Sequence, residues 1–322
     1  MNDSLAPIVL FVYNRPFHTE QTLSALQQND LARQSTLYIY CDGTKENTSV
    51  ENTENIRAVR RIVKEVQGFK EVFIIESEQN KGLACSIQSG ISEIIKKHGR
   101  VIVLEDDLIT SPAFLSYMNK ALVYYENRKS VFSISGYNMP STLMQIPEDY
   151  EYDVYVSLRN DSWGWGTWDD RWNQVDWNVS SYPAMLKSKQ LQEAFNRGGD
   201  DMFEMLQKQQ SGKLNIWSIQ FTLAHFMNHA VSIVPTVSYV DNVGLDGSGE
   251  NCGLNPSLKN KTLCTNENIR FLDILYEDKR IINAFYSANC NKKRPLWQKM
   301  LNRLSRLLGR KNIFVIKKKI YD

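Results

Sequence analysis

Short apolar runs and amphipathic stretches alternate along the first 135 residues. Residues 8–13 (IVLFVY), 36–41 (TLYIYC), 72–76 (VFIIE) and 101–104 (VIVL) have the aliphatic and β-branched make-up of strands buried on both faces. Between them, residues 18–28, 52–67 and 80–97 place apolar positions at helical spacing, and Gly99 offers a left-handed stop to the third helix. Ser111-Pro112 reads as the cap and first residue of a helix ending near Tyr125, and residues 131–135 as a fifth strand. Four strand–helix units in series predict an α/β fold built on a parallel, doubly wound sheet. Ligands of such sheets sit beyond the carboxyl ends of the strands. That rule gathers residues 13–15, 41–43, 76–78 and 105–107 around one crevice.

Beyond residue 135 the pattern shortens. Trp163, Trp165, Trp168, Trp172 and Trp177 crowd into fifteen residues, interleaved with Gly164, Gly166, Asp169 and Asp170. Helices are expected near residues 190–209 and 217–228, followed by a glycine-rich loop at 241–252. No repeat or low-complexity linker separates the parts, so the second half is expected to be fused to the first sheet. Boundaries are expected near residues 135 and 264, giving a first half (1–135), a second half (136–264) and a basic helical extension (265–322).

Charge changes this picture only at the end of the chain. Lys plus Arg number 38 against 36 Asp plus Glu, which names no partner. From Lys292 onward, however, eleven basic residues face Asp322 alone, leaving the remainder net acidic. Within residues 292–319, Trp297, Met300, Leu301, Leu304, Leu307 and Leu308 fall at helical spacing among these basic residues. That describes equally a helix lying on an anionic membrane surface and a docked helix with a solvated basic face. No nucleic-acid-binding motif accompanies the charge. Five widely spaced cysteines, no apolar run of about 18 residues and no signal-peptide order at the N-terminus lead to an expectation of a cytoplasmic protein, peripheral at most to the inner membrane face.

The candidate chemistry begins at Glu105, Asp106 and Asp107, which close the fourth apolar run. Adjacent carboxylates repel and are costly to desolvate unless something positive lies between them. A divalent cation, Mg²⁺ or Mn²⁺, held together with substrate phosphates would answer that need; the alternative is a solvated acidic turn. Around the same edge, Val12, Tyr13, Asn14 and Arg15 offer backbone and a guanidinium to a nucleotide diphosphate. Asp42 could accept from a base imide or a ribose hydroxyl, and Asn80 and Lys81 open a helix whose N-terminus favours anions. The Trp-rich segment suits carbohydrate stacking by Trp163, Trp165 and Trp168, and equally suits an aromatic core. Trp217 and Phe221, at i and i+4, read as core. His225 and His229, one turn apart, lack the third ligand of a zinc site.

The stretches YNRP, CDG, NKGLACSIQSGI and VIVLEDD followed by SPAFLSYM resemble the nucleotide-binding half of GT-A glycosyltransferases. More closely, they resemble bacterial family-2-type, hemolysin-like transferases and the Golgi N-acetylglucosaminyltransferases. The resemblance covers roughly residues 7–252 and implies that 1–135 is the nucleotide-sugar-binding half and 136–264 the acceptor-binding, catalytic half. It implies Asp107 as the direct metal ligand, with Glu105 and Asp106 on sugar and ribose. The WGWG-then-acid stretch is similar to that of β1,4-galactosyltransferases, which implies Asp169 as the base that deprotonates the acceptor, with Asp170, Asp200 and Asp201 as rivals. One departure stands out: where the N-acetylglucosaminyltransferases carry a Trp-Asp-x-Trp segment, this chain has Leu214-Asn215-Ile216-Trp217, and Asn215 cannot act as a base. A His before the Cys of the glycine-rich loop is replaced by Asn251. The resulting expectation is an inverting, metal-dependent transferase moving GlcNAc or another hexose from a UDP-sugar to a surface-polysaccharide or lipid-linked glycan acceptor. A sugar-nucleotide nucleotidyltransferase and an inactive nucleotide- or glycan-binding relic are the alternatives.

Overall fold

The computed structural model describes residues 4–249 and 254–290, so the expectations about Asn251, the Cys252 that follows it and the basic segment 292–319 lie outside the described residues. The chain runs β1 (Ile8–Val12), α1 (Pro16–Gln27), β2 (Thr36–Cys41), α2 (Val50–Lys64), β3 (Glu71–Glu76), α3 (Leu83–His98) and β4 (Arg100–Glu105). It continues through β5 (Leu108–Thr110), α4 (Phe114–Tyr124), β6 (Val131–Ser135), β7 (Val154–Ser157), β8 (Trp165–Trp168) and α5 (Asp169–Trp172). Next come α6 (Tyr182–Lys187), α7 (Lys189–Phe195), α8 (Met202–Gln210), α9 (Ser218–Met227), β9 (Val231–Pro235), β10 (Val240–Asn242) and α10 (Lys279–Asn289). Among the described residues no helix is long and apolar enough to cross a membrane.

One eight-stranded sheet, ordered β3-β2-β1-β4-β8-β6-β9-β7, spans both halves of the chain. The fold class is the expected α/β one, with the sheet mostly parallel: β1 to β4 run together, as do β6 and β9, while β8 and β7 run against them. Because β6 is separated from β4 by β8, the stretches divided at residue 135 share a single set of hydrogen bonds. They are not two cores. Helices cover both faces. Leu23 and Leu26 of α1, Val59 and Val63 of α2 and the inner side of α4 pack on one face. Ile87, Ile91, Ile94 and Ile95 of α3 pack on the other, with Trp217 and Phe221 beside α3 as expected core residues. Double coverage explains why every residue of β1 is buried and apolar.

Several elements differ in detail from expectation. Helix α4 starts at Phe114 rather than Pro112: the Ser111 carbonyl accepts from the Phe114 N–H (3.1 Å), while the Ser111 hydroxyl is buried without a partner and caps nothing. The helix expected over 190–209 is broken at Gly198-Gly199, where Gly199 takes φ +148°, into α7 and α8. β5, too short to read from periodicity, pairs antiparallel with β10 above the sheet's carboxyl edge.

His225 is a core residue. Its Nε2 sits 2.8 Å from Ser133 Oγ and its Nδ1 2.7 Å from the Phe221 carbonyl, an arrangement that suits a neutral ring donating through Nδ1 and accepting at Nε2. Burial lowers its pKa to about 4.

Candidate active site

The carboxyl ends of β1, β2 and β4 and the start of α3 surround one pocket, with a cavity of about 160 Å³. A space that size takes one aromatic ring, so the rest of a larger ligand would lie in the open cleft. Val12, Tyr13, Asn14, Arg15, Asp42, Asn80, Glu105, Asp106 and Asp107 all line it. These nine come from three strand ends and one helix start, brought together because the strands are parallel and adjacent.

Gly82, Phe11, Tyr40, Lys45, Leu83, Ser86, Ser248 and Gly249 complete the wall; Ser248 and Gly249 belong to the glycine-rich loop expected at 241–252, and sequence reasoning missed Phe11, Tyr40, Lys45, Leu83 and Ser86. A signal existed for two of them. In TLYIYC, Leu37, Ile39 and Cys41 are buried while Tyr38 and Tyr40 share the other face. Tyr40 lies in register with Phe11 on β1, their rings stacked at 5.4 Å. Lys45, over the Tyr13 ring at 5.7 Å, comes from a polar loop with no pattern to mark it.

The acid cluster differs from expectation in one respect. The positive group between Asp106 and Asp107 is Arg15, whose Nη2 donates to Asp106 Oδ1 and forms an ion pair with Asp107 Oδ2 (3.0 Å). Burial opposes the charge on Arg15, but Asp106 and Asp107 outweigh it and raise its pKa. Burial also raises Asp106, with Arg15 pulling the other way. For Glu105, burial and then the neighbouring Asp107 outweigh the pull of Arg15 and push it up to about 8. Among the described residues no three His, Cys, Asp or Glu side chains converge as metal ligands. As placed, the site fits a guanidinium between the acids, and the expected Mg²⁺ or Mn²⁺ ligation by Asp107 does not fit alongside it.

Asp42 also differs. Its carboxylate accepts from the backbone N–H groups of Gly43 (2.8 Å), Lys81 (2.9 Å) and Gly82 (2.9 Å) and from Asn80 Nδ2 (3.1 Å). A carboxylate has about four acceptor sites, so this one is filled. Asp42 ties β2 to the start of α3, and the N–H groups of Lys81 and Gly82, just ahead of the helix, are spent on it. Lys81 itself does not line the pocket. The approach is close enough that a Cβ on Gly43 would come within 2.3 Å of the Gln79 carbonyl carbon, so only glycine fits there.

None of the four expected bases reaches the pocket. β8 runs antiparallel to β4, pairing Trp168 with Arg100 and Trp165 with Val103. Asp169 therefore begins α5 at the start of β4, its N–H on the Gly99 carbonyl, roughly 20 Å along the strand from Glu105. Asp170 pairs there with Lys129 and Arg171, each at 2.6 Å. Asp200 and Asp201 precede α8, and Asp201 is held in an ion pair with Arg159 (2.9 Å).

The three tryptophans expected to stack on an acceptor are in the core, with Trp163, Trp165 and Trp168 exposed by 6, 1 and 2%. Trp165 stacks on Trp217 at 4.7 Å, and Trp168 donates its Nε1–H to the Leu122 carbonyl (3.1 Å) under the Arg171 guanidinium. Trp163 packs edge-on against Tyr137. By contrast, Asn215 does lie at the crevice: a Cβ on Gly82 would be 3.6 Å from its Nδ2.

No family model matches this chain, and no curated protein matches it. Solved structures of similar shape include residues 1–349 of S. aureus TarS, with TM-score 0.37 and 10% identity over 73% of this chain and 59% of that one. A longer TarS structure is matched over 36% of its length, so the chain spans well under two thirds of either. UDP-glucose pyrophosphorylase complexed with UDP-glucose gives 0.36 and 14% over 72% of this chain and 90% of that one. Glucosyl-3-phosphoglycerate synthase from Mycobacterium tuberculosis, in complex with Mn²⁺ and UDP, gives 0.28 and 9% over 51% and 57%. Identities and scores this low leave the chemistry of the site to its own residues.

Proposed function

We propose that the protein is a nucleotide-sugar-dependent glycosyltransferase, using a UDP-hexose or UDP-N-acetylhexosamine and acting on a glycan or lipid-linked hydroxyl acceptor. The observation that supports it is the composition of the pocket at the carboxyl edge of β1, β2 and β4. An aromatic inner wall (Phe11, Tyr40) suits a base, and a cationic and amide-bearing rim (Arg15, Lys45, Asn14, Asn80) suits a diphosphate. Glu105, on the same rim, is an oxygen acceptor for sugar hydroxyls. In this reading the chain's part is to orient the donor and stabilise charge on the departing diphosphate with preorganised donors. A nucleotidyltransferase would call for a glycine-rich basic loop after β1, and Asn14-Arg15-Pro16-Phe17 is not one.

The test is a thermal-shift panel of UDP, UMP, ADP, GDP and UDP-sugars, followed by assay of UDP release. A ligand specific for the folded state present at about 100 times its Kd adds about 2.7 kcal/mol of stability. UDP and one UDP-sugar should raise Tm above the other nucleotides, with slow release of UDP from the sugar. A flat panel would refute the reading. Asp107→Asn should preserve the fold and cut turnover by about 100-fold or more, the scale of losing one preorganised contact.

A further inference from the structure

We infer that Arg15 supplies from within the chain the positive charge this site needs, so that it takes a nucleoside diphosphate without a divalent cation. The inference deepens the reading above and rests on it.

The position a cation would take between Asp106 and Asp107 is held by Arg15 Nη2. A guanidinium is planar and forked, with donors on more than one edge. Nη2 serves the acids. Nη1 is buried and has no hydrogen-bond partner, an orphaned charged donor of a kind that normally costs free energy in a folded protein. Arg15 lines the pocket, so its charge lies beside a ligand there, while Nη1 itself is enclosed next to Gly244. The positive charge that a diphosphate calls for is then carried by a guanidinium held on Asp106 and Asp107 at the pocket wall.

Two further features fix this arrangement. The loop after β10 presses on the pair: Val243 N–H donates to the Asp107 carbonyl (2.9 Å), and a Cβ on Gly244 would fall 2.1 Å from Asp107 Oδ2 and 2.8 Å from Arg15 Nη1. There is thus no room beside the pair on that side for an ion with its own water shell. Ahead of α3, the Lys81 and Gly82 N–H groups are committed to Asp42. Arg15, with Lys45 on the same wall, carries the positive side of the pocket.

The test uses the whole protein and two probes, Mn²⁺ alone followed by its EPR signal and UDP followed by calorimetry. Wild type should leave Mn²⁺ free in solution and bind UDP with the same Kd, within about twofold, in EDTA and in Mn²⁺. Arg15→Met should weaken UDP in EDTA by about 30-fold, the scale of a lost charged hydrogen bond, and should now bind Mn²⁺ through the freed acids. Arg15→Lys keeps the charge without the fork and should still exclude Mn²⁺ while binding UDP more weakly than wild type. UDP binding by wild type only when Mn²⁺ is present would overturn this inference and spare the transferase reading. No UDP binding under either condition would overturn both. The wild-type arms decide the matter even if Arg15→Met does not fold.

Discussion

β4 and β8 are hydrogen-bonded neighbours, both apolar, and both run directly into acidic residues. Yet Glu105, Asp106 and Asp107 line the pocket while Asp169 and Asp170 lie at the opposite edge of the sheet. The difference is strand direction alone. A parallel strand in this sheet delivers the residues after it to the ligand edge, and an antiparallel one delivers them to the other. The tryptophans show the same contrast from the side. Aromatic residues in β1 and β2 wall the pocket near the carboxyl ends of parallel strands, whereas Trp165 and Trp168, the two ends of a central strand covered on both faces, pack with α3 and α9 and with α4 respectively.

The comparison can be broken in three ways. The largest expected effect is on Trp165. If it is core, Trp165→Ala leaves a cavity and costs about 3–5 kcal/mol, the usual range for a buried aromatic, read as a lowered midpoint in urea. An acceptor platform would instead lose acceptor affinity at unchanged stability.

Next comes His225, which links α9 to β6. Its folded pKa of about 4 lies below the ordinary 6.5, so the fold favours the neutral ring. Its contribution is full above pH 6.5 and is lost as pH falls from 6.5 to about 4, by about 3 kcal/mol in all. Asp161, pushed up to about 6 by burial, acts in the opposite direction, losing stability as pH rises. The difference between wild type and His225→Phe isolates the histidine: the variant's Tm should fall less steeply between pH 7 and 4.5. Parallel curves would mean the ring is not a buried neutral group.

The smallest effects belong to the far edge. Asp170 and its partner Lys129 are 45% and 66% exposed, and exposed pairs are worth about 0–1 kcal/mol; its buried partner Arg171 also donates to the Tyr125, Glu126, Arg128 and Val131 carbonyls and is not left alone without it. Asp169→Asn and Asp170→Asn should therefore change stability by less than about 1 kcal/mol and leave turnover within about twofold. A hundredfold loss in either would restore the far-edge acids to the site.

Read by itself, the sequence determined the strands and helices of residues 8–105 to within a few positions. There, burial on both faces writes a continuous apolar run and helices write a 3.6-residue period. It also determined the set Val12 to Arg15, Asn80 and Glu105 to Asp107, because parallel strands put consecutive carboxyl ends side by side. The tertiary structure alone decided that β8 runs antiparallel between β4 and β6, and hence which acids reach the pocket. Direction within a sheet is set by long-range pairing, and the apolar pattern reads the same both ways. It decided too that the charge among the acids is Arg15, 91 positions from Asp106. Complementary charges that meet across such a separation leave no periodic trace in the chain.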